Sequence, residues 1–266
     1  MIVELHRVEH EEYGGKALEL GRARRAGLPV PRGFALSPAL VERIVLGDSA
    51  ARAQVATAFE PLGPAAVRSS AIGEDGAQAS FAGQHASILN VRTAAALFDA
   101  VVSVYESARS AAALAYRRRM GITSEPRMAV VLQALVLAET AGILFTRNPM
   151  TGADERVIEG SFGLGEAVVS GLVTPDRFRM ARGGRVLERA LGEKDIAIEW
   201  ALGGGTVEVD VGPERASQLC LDDVHLAQLE TLASACETAF DGPHDIEWAF
   251  AKGELYLLQR RAITRV

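Results

Sequence analysis

The densest set of groups able to do chemistry lies in the segment HDIEWAFAKGELYLLQRR, residues 244–261. It reads as two strands about a Lys252-Gly253 turn, and successive strand side chains point to opposite faces, so the turn decides which polar residues act together. A two-residue turn sets Glu247 opposite Leu258 and leaves Glu247 and Gln259 on opposite faces. A three-residue turn, Ala251-Lys252-Gly253 with glycine in the left-handed position, sets Asp245 opposite Gln259 with Glu247 diagonal to it. In that second register Asp245, Glu247, Gln259 and Arg261 share one face. Two carboxylates and an amide oxygen beside a guanidinium make a hard-oxygen set suited to Mg²⁺ on a polyphosphate. The plainer account is a charged outer strand face with Arg261 paired to Asp245.

Earlier segments carry complementary cations. In GGKALELG, Gly14 and Gly15 allow close approach of an anion while Lys16 enters the first turn of a helix, a place that suits phosphate. The Walker GxxxxGK[ST] spacing is absent, and a solvated lysine would look the same. In AVRSSAIGEDGAQASFAGQ, residues 66–84, Arg68 leaves an apolar strand end, which is costly without an anionic partner; Glu74 or Asp75 would serve as well as a phosphate. Glycines 73, 76 and 83 make this loop a candidate cover over phosphates. The segment EGSFGLGEAVVSGLVTPD places Gly163, Gly165 and Gly171 around Glu166, either as turns or as a loop wrapped on a ligand. Phe162 and Trp248 read as core, and the five histidines show neither zinc spacing nor a Ser/His/Asp pattern.

Positioning these groups requires elements that the pattern partly reveals. A helix is expected over Gly15–Ala26, ended by Gly27 and Pro29, then a strand near Gly33–Leu36 and an Ala-rich helical stretch to Phe59. Strands are expected at Ala65–Arg68 and His85–Val91, and one long helix over Thr93–Met120, capped by Thr93 and closed by Gly121. Short β-rich segments follow Pro126, at 128–136, 142–146, 156–159, 177–180 and 185–190, before a helix over Leu221–Phe240. Helices and strands mix without a steady βαβ alternation, which favours an α+β fold of two lobes, about 1–125 and 126–266, meeting near 121–127.

Composition bounds the rest. At 266 residues, 48% hydrophobic and 23% charged, the chain has the make-up of an ordinary globular protein. Lys and Arg number 28 against 34 Asp and Glu, so a net charge of −6 gives no footprint for duplex nucleic acid. Cys220 and Cys236 form no CxxC pair and read as reduced thiols. The opening residues lack an apolar signal region, and the most apolar stretch, 128–146, is broken by Gln133, Glu139 and Thr140. A cytoplasmic protein without a membrane span is the expectation.

Taken in order, GGKALELGRARRAGLPVPRGFAL, AVRSSAIGEDGAQASFAGQ, GILFTRNPMTG, GLGEAVVSGLVTPDRF and HDIEWAFAKGELYLLQRRAIT resemble the nucleotide-binding domain of the phosphoenolpyruvate synthase, pyruvate phosphate dikinase and rifampin phosphotransferase family. The resemblance runs from about Tyr13 to Thr264. It implies an ATP-grasp fold, two α+β lobes with the nucleotide cleft between them, holding ATP and Mg²⁺. It implies that Lys16 and Arg68 bind phosphates, that Glu247 and Gln259 hold magnesium with Asp245 supporting the metal shell, and that Arg261 neutralises charge during transfer. It also implies that Gln133 to Val136, Leu135 included, presents backbone groups to adenine, and that Ser80 to Gln84, with Gly83, forms a mobile cover.

In this family ATP gives AMP while a phosphoryl or pyrophosphoryl group passes to a histidine on a swivelling domain. No segment here resembles that carrier motif or the pyruvate-binding barrel, so a phosphotransferase component working with a phosphohistidine carrier on a separate partner chain is expected. The alternative is an ATP-grasp kinase or ligase acting directly on a small-molecule acceptor. A third class, a nucleotide-sensing or scaffold protein without chemistry, sits poorly with intact Lys16, Arg68, Glu247 and Gln259. The departures from the family pattern are a short connection between Ser37 and Val67, and Ala262 where proline is usual.

Overall fold

A computed structural model describes residues 1–72 and 86–263, which fall into two compact units. The first comprises residues 1–24, 31–135 and 201–205; the second comprises 25–30, 136–200 and 206–266.

In chain order the first unit contains β1 (Ile2–Glu4), α1 (Gly14–Arg25), β2 (Gly33–Leu36), α2 (Pro38–Val45), α3 (Ser49–Phe59), β3 (Ala65–Ala71), β4 (Ser87–Val91), α4 (Ala94–Ser107), α5 (Ala111–Arg119) and β5 (Met128–Ala134). Its five strands form an antiparallel sheet in the order β1-β2-β5-β3-β4. Strand alternation divides the sheet's residues cleanly. Leu36, Val67, Val130 and Leu132 join Leu40, Val41, Ile44, Val55, Leu97, Val101 and Val104 of α2, α3 and α4 in one buried cluster. Arg68, Ser70 and Gln133 fall on the other face. There the start of α1 is fastened to β3: Ser70 Oγ accepts from Ala17 N at 3.0 Å and donates to Tyr13 O at 2.7 Å.

Two expectations are corrected in this unit. The long helix over Thr93–Met120 is two helices, because Ser110 turns its hydroxyl onto Ala113 N at 3.2 Å and caps α5 afresh, as Thr93 caps α4 on Ala96 N. The changeover between units comes at Leu135 and Val136 rather than at 121–127, since β5 lies between β2 and β3 inside the first sheet.

The second unit contains β6 (Thr140–Phe145), β7 (Glu155–Phe162), α6 (Glu166–Val169), β8 (Asp176–Ala181), β9 (Val186–Ala190), β10 (Ile196–Trp200), β11 (Thr206–Asp210), α7 (Pro213–Ala216), α8 (Asp223–Ala239), β12 (His244–Ala251) and β13 (Glu254–Ala262). Six strands form an antiparallel sheet in the order β13-β12-β6-β7-β8-β9, while β10 and β11 pair separately. That pair was not legible from the sequence pattern. Helix α8 is held to β7 by the buried Arg156, whose Nε donates to Glu230 Oε2 at 2.9 Å and whose Nη2 lies 2.9 Å from Glu237 Oε2.

Trp248 is fully buried and lies over the cross-strand pair Gly142 and Gly160. A Cβ on Gly160 would stand 3.0 Å from Trp248 Cη2, and one on Gly142 would stand 2.8 Å from Trp248 Cζ2 and 1.9 Å from Glu159 O. The indole therefore occupies the space that two side chains would fill, and it anchors β12 next to β6. Gly142→Ala should cost about 2–3 kcal/mol in urea unfolding, and Gly160→Ala about 1 kcal/mol, because a side chain can yield where a backbone oxygen cannot. Equal or negligible costs would contradict this packing.

Candidate functional site

The β12–β13 hairpin resolves the register question by a route that neither simple turn provides. Ala251 pairs with Glu254 across a two-residue turn whose Lys252 and Gly253 take φ of 54° and 76°, the left-handed pair that a tight hairpin requires. The two-residue register holds through Trp248↔Leu257. A bulge then intervenes: Glu247 pairs with Gln259, Ile246 with Arg260 and Asp245 with Arg261, leaving Leu258 as the extra residue. The three-residue turn and its pairing of Asp245 with Gln259 are thus corrected. The four polar residues still share a face, with Glu247 directly opposite Gln259.

That face continues across the sheet. Following the pairing from β13 to β8 gives one row, Gln259, Glu247, Ile143, Glu159 and Arg177. A neighbouring row holds Arg261, Asp245, Phe145, Val157 and Arg179. The opposite face carries Trp248, Ile246, Leu144, Ile158 and Phe178, all fully buried or nearly so. Glu159, Ser161 and Arg177 were not singled out from the sequence, although counting in twos along β7 from Glu155 would have found the first two.

Electrostatics mark the face as unfinished. Burial, reinforced by the charge of Glu247 and held back by Arg261, pushes the Asp245 carboxyl up to about 6. Asp245 Oδ1, Ser161 Oγ and Arg177 Nε are buried atoms with no hydrogen-bond partner. By contrast Arg179, next along the same face of β8, is saturated by Glu155 at 2.9 Å and Glu188 at 2.8 Å. A magnesium ion fits the chemistry of Asp245, Glu247 and the Gln259 amide oxygen, and the unpartnered Asp245 oxygen is the observation that favours it. Among the described residues no group of three or more His, Cys, Asp or Glu is placed to hold a metal, so the amide and a ligand's own oxygens have to complete any such shell.

In the first unit Lys16 is buried, with Nζ donating to Ser69 O at 2.7 Å, which excludes a freely solvated lysine. Arg68 is 9% exposed and its Nη1 donates to Gln133 Oε1 at 3.3 Å; Gln133 Nε2 is buried without a partner. Of the backbone groups expected to meet a base, Leu135 N–H is already given to Pro64 O at 2.8 Å and Val136 C=O already accepts from Ala138 N at 2.9 Å. The Leu135 N–H is thus committed, while the Val136 carbonyl keeps a second lone pair. Ser80, Gly83 and Gln84, with Glu74 and Asp75, lie outside the described residues.

Two histidines of the second unit make contacts away from this face. His244 is fully buried, accepts from Arg260 Nη1 at 3.1 Å on Nδ1, and approaches Phe240 O at 3.4 Å through Nε2. Burial holds it below its ordinary value, despite the raising influence of the Phe240 carbonyl. His225 lies 2.8 Å from Asp222 within the capping box of α8. Both cysteines are buried and unpaired, and no helix among the described residues is long and apolar enough to cross a membrane.

Comparison with known proteins gives a consistent pattern. Residues 38–266 match the family described as pyruvate phosphate dikinase, AMP/ATP-binding domain. The chain is 34% identical over 299 residues to a probable phosphoenolpyruvate synthase of Methanothermobacter thermautotrophicus, covering 94% of this chain and 44% of that protein. It is 41% identical over 201 residues to rifampicin phosphotransferase of Streptomyces sviceus, covering 75% of this chain and 23% of that protein. An uncharacterized phosphotransferase of Bacillus subtilis is 33% identical over 278 residues, 95% of this chain and 33% of that protein. The chain thus spans less than half the length of these curated relatives. Among solved structures, a dinucleotide-forming acetyl-coenzyme A synthetase of Ca. Korarchaeum cryptofilum aligns over 94% of this chain and 92% of its own, with a TM-score of 0.48 and 12% identity.

The Asp245 shift yields a stability prediction. The fold favours its protonated form, so that stability is fully present below the ordinary carboxylate range and is lost as pH rises through about 6. Asp245→Asn should therefore stabilise the ligand-free protein at pH 8 by about 1–3 kcal/mol in thermal or urea unfolding, and the gain should vanish near pH 4. A variant less stable than wild type at pH 8 would show that the carboxylate is already well compensated.

Proposed function

Since the chain belongs to the AMP/ATP-binding domain family of pyruvate phosphate dikinase, we propose that it binds ATP with Mg²⁺ and passes to a phosphocarrier histidine on a separate partner chain either a pyrophosphoryl group, leaving AMP, or one phosphoryl group, leaving AMP once the other phosphate has gone to water or another acceptor. The observation that carries this reading is the bulged hairpin, which sets Glu247 directly opposite Gln259 with Asp245 and Arg261 on the same face. Phosphoryl transfer asks a protein mainly to position the phosphates and to neutralise charge, and this is a set of groups for that task.

In this reading Glu247 and Gln259 hold the magnesium, and Asp245, once ionised, supports the shell. The bound cation would draw charge from the bridging phosphate oxygens. Arg261 offsets the charge that develops as the phosphoryl group leaves. Lys16 and Arg68 bind phosphate oxygens; both are buried cations whose hydrogen bonds to Ser69 O and to Gln133 hold them in place. The orphaned Gln133 Nε2 gives this segment a donor for the nucleotide, while Ser80, Gly83 and Gln84 belong to the proposed cover. Each unit is built on an antiparallel sheet that carries part of this set.

Of the histidines in the second unit, His244 has both ring nitrogens engaged, while His225 meets Asp222 through Nδ1.

Calorimetric titration of ATP, with Mg²⁺ and with EDTA, tests the reading. Wild type should bind ATP more tightly with Mg²⁺, and Glu247→Gln should lose most of that difference, at least about tenfold in affinity. Undiminished magnesium dependence in Glu247→Gln would remove Glu247 from the metal site. Rapid AMP release by the chain without any added acceptor would contradict transfer to an external histidine.

A further inference from the structure

We propose that Glu159 positions the acceptor imidazole, accepting its N–H so that the other ring nitrogen faces the phosphorus; this rests on the proposed transfer to histidine and deepens it. Glu247, Ile143, Glu159 and Arg177 stand directly opposite one another in turn on β12, β6, β7 and β8, and so share one face of one sheet. All four are partly exposed, whereas Ala249, Ala141 and Ser161 in the adjoining row are buried. The row of Glu159 is therefore the one that a molecule from solution can reach.

Glu159 and Arg177 are a pair that the sheet leaves unmade. They face each other across β7 and β8, yet among the described residues neither side chain makes a hydrogen bond or an ion pair, and Arg177 Nε is buried without a partner. One row along, Arg179 meets Glu155 at 2.9 Å and Glu188 at 2.8 Å. The Glu159 carboxylate thus keeps its lone pairs for a donor that comes from outside the chain.

Its place selects that donor. The reading above sets the metal-bound phosphates at Glu247 and Gln259, on this same sheet, and Glu159 lies two strand spacings, about 10 Å, across from Glu247. Ile143 stands between the two carboxylates and gives the interval an apolar floor. Arg177 is on the far side of Glu159, so an anion arriving beside the metal meets the carboxylate first and is repelled. A neutral imidazole suits the interval: its ring faces are apolar, one nitrogen carries a lone pair and the other an N–H.

In the transfer that lone pair forms the N–P bond while the P–O bond to the nucleotide breaks, and the bonding electrons leave on the nucleotide's phosphate oxygen. The ring keeps its N–H and becomes cationic. A carboxylate holding that N–H fixes the tautomer before attack and offsets the charge after it.

The acceptor probe is 4-methylimidazole, a histidine side-chain analogue, and its control is N-methylimidazole, which has equal bulk and an attacking nitrogen but no N–H. Each is incubated with ATP, Mg²⁺ and wild type, Glu159→Ala or Glu159→Asp, and the N-phosphorylated product is followed by phosphorus NMR. Wild type should phosphorylate 4-methylimidazole about ten- to a hundredfold faster than N-methylimidazole, the span of a hydrogen bond to a charged group. Glu159→Ala should bring that ratio to about one, while calorimetry shows it binding ATP with Mg²⁺ as wild type does, and Glu159→Asp should keep part of the preference. A wild-type ratio near one, or a preference that survives Glu159→Ala, overturns the inference and leaves the ATP reading standing. Wild type that binds ATP but phosphorylates neither probe overturns it as well. If wild type binds no ATP, the parent reading fails and this one falls with it.

Discussion

One extra residue in β13 governs the candidate site. Leu258 breaks the hairpin register between Trp248 and Glu247, and everything beyond it is turned over relative to the tight turn. Without that bulge, Leu257 and Gln259 would share a face by simple alternation, and the amide would point into the apolar side with Trp248. With it, Leu257 stays in the core and Gln259 joins Glu247 on the opposite face. A bulge costs a ladder hydrogen bond and bends the strand, so it persists where it re-aims side chains that are needed together.

The apolar face of the same sheet makes the bulge tolerable. Trp248 packs over Gly142 and Gly160, and Phe250 lies beside it with ring centroids 5.6 Å apart, so β12 is anchored on the turn side of the irregularity. Arg156 fastens α8 to β7 through two glutamates, and hydrogen bonds from Arg156 and Arg182 hold the Glu237 carboxyl down at about 2 against the opposing effect of burial. The arginine–glutamate pairs contrast with the metal face, where Asp245, Ser161 and Arg177 retain unpartnered buried atoms, as Trp248 Nε1 does on the apolar side.

How much of this was legible in the sequence depends on the range of the cause. Helix α1, the Lys252-Gly253 turn and the burial of Trp248 follow from local spacing and residue type, and the sequence reading anticipates them. The family resemblance likewise named the four hairpin residues that the bulge brings to one face. The bulge itself has no local signature, because Leu258 is compatible with either parity and the choice is made by Trp248 fitting over two glycines on other strands. The break at Ser110 was hidden by apolar periodicity that runs through both α4 and α5, although its capping hydroxyl was in plain sight.

The central claim is that the bulged hairpin holds the metal on a bound nucleotide. A crystal structure with Mn²⁺ and a non-hydrolysable ATP analogue tests it directly. The account predicts an anomalous manganese peak within direct coordination distance, about 2.0–2.3 Å, of oxygens from both Glu247 and Gln259. A peak held by other residues, with Glu247 and Gln259 turned to solvent or to each other, would contradict it.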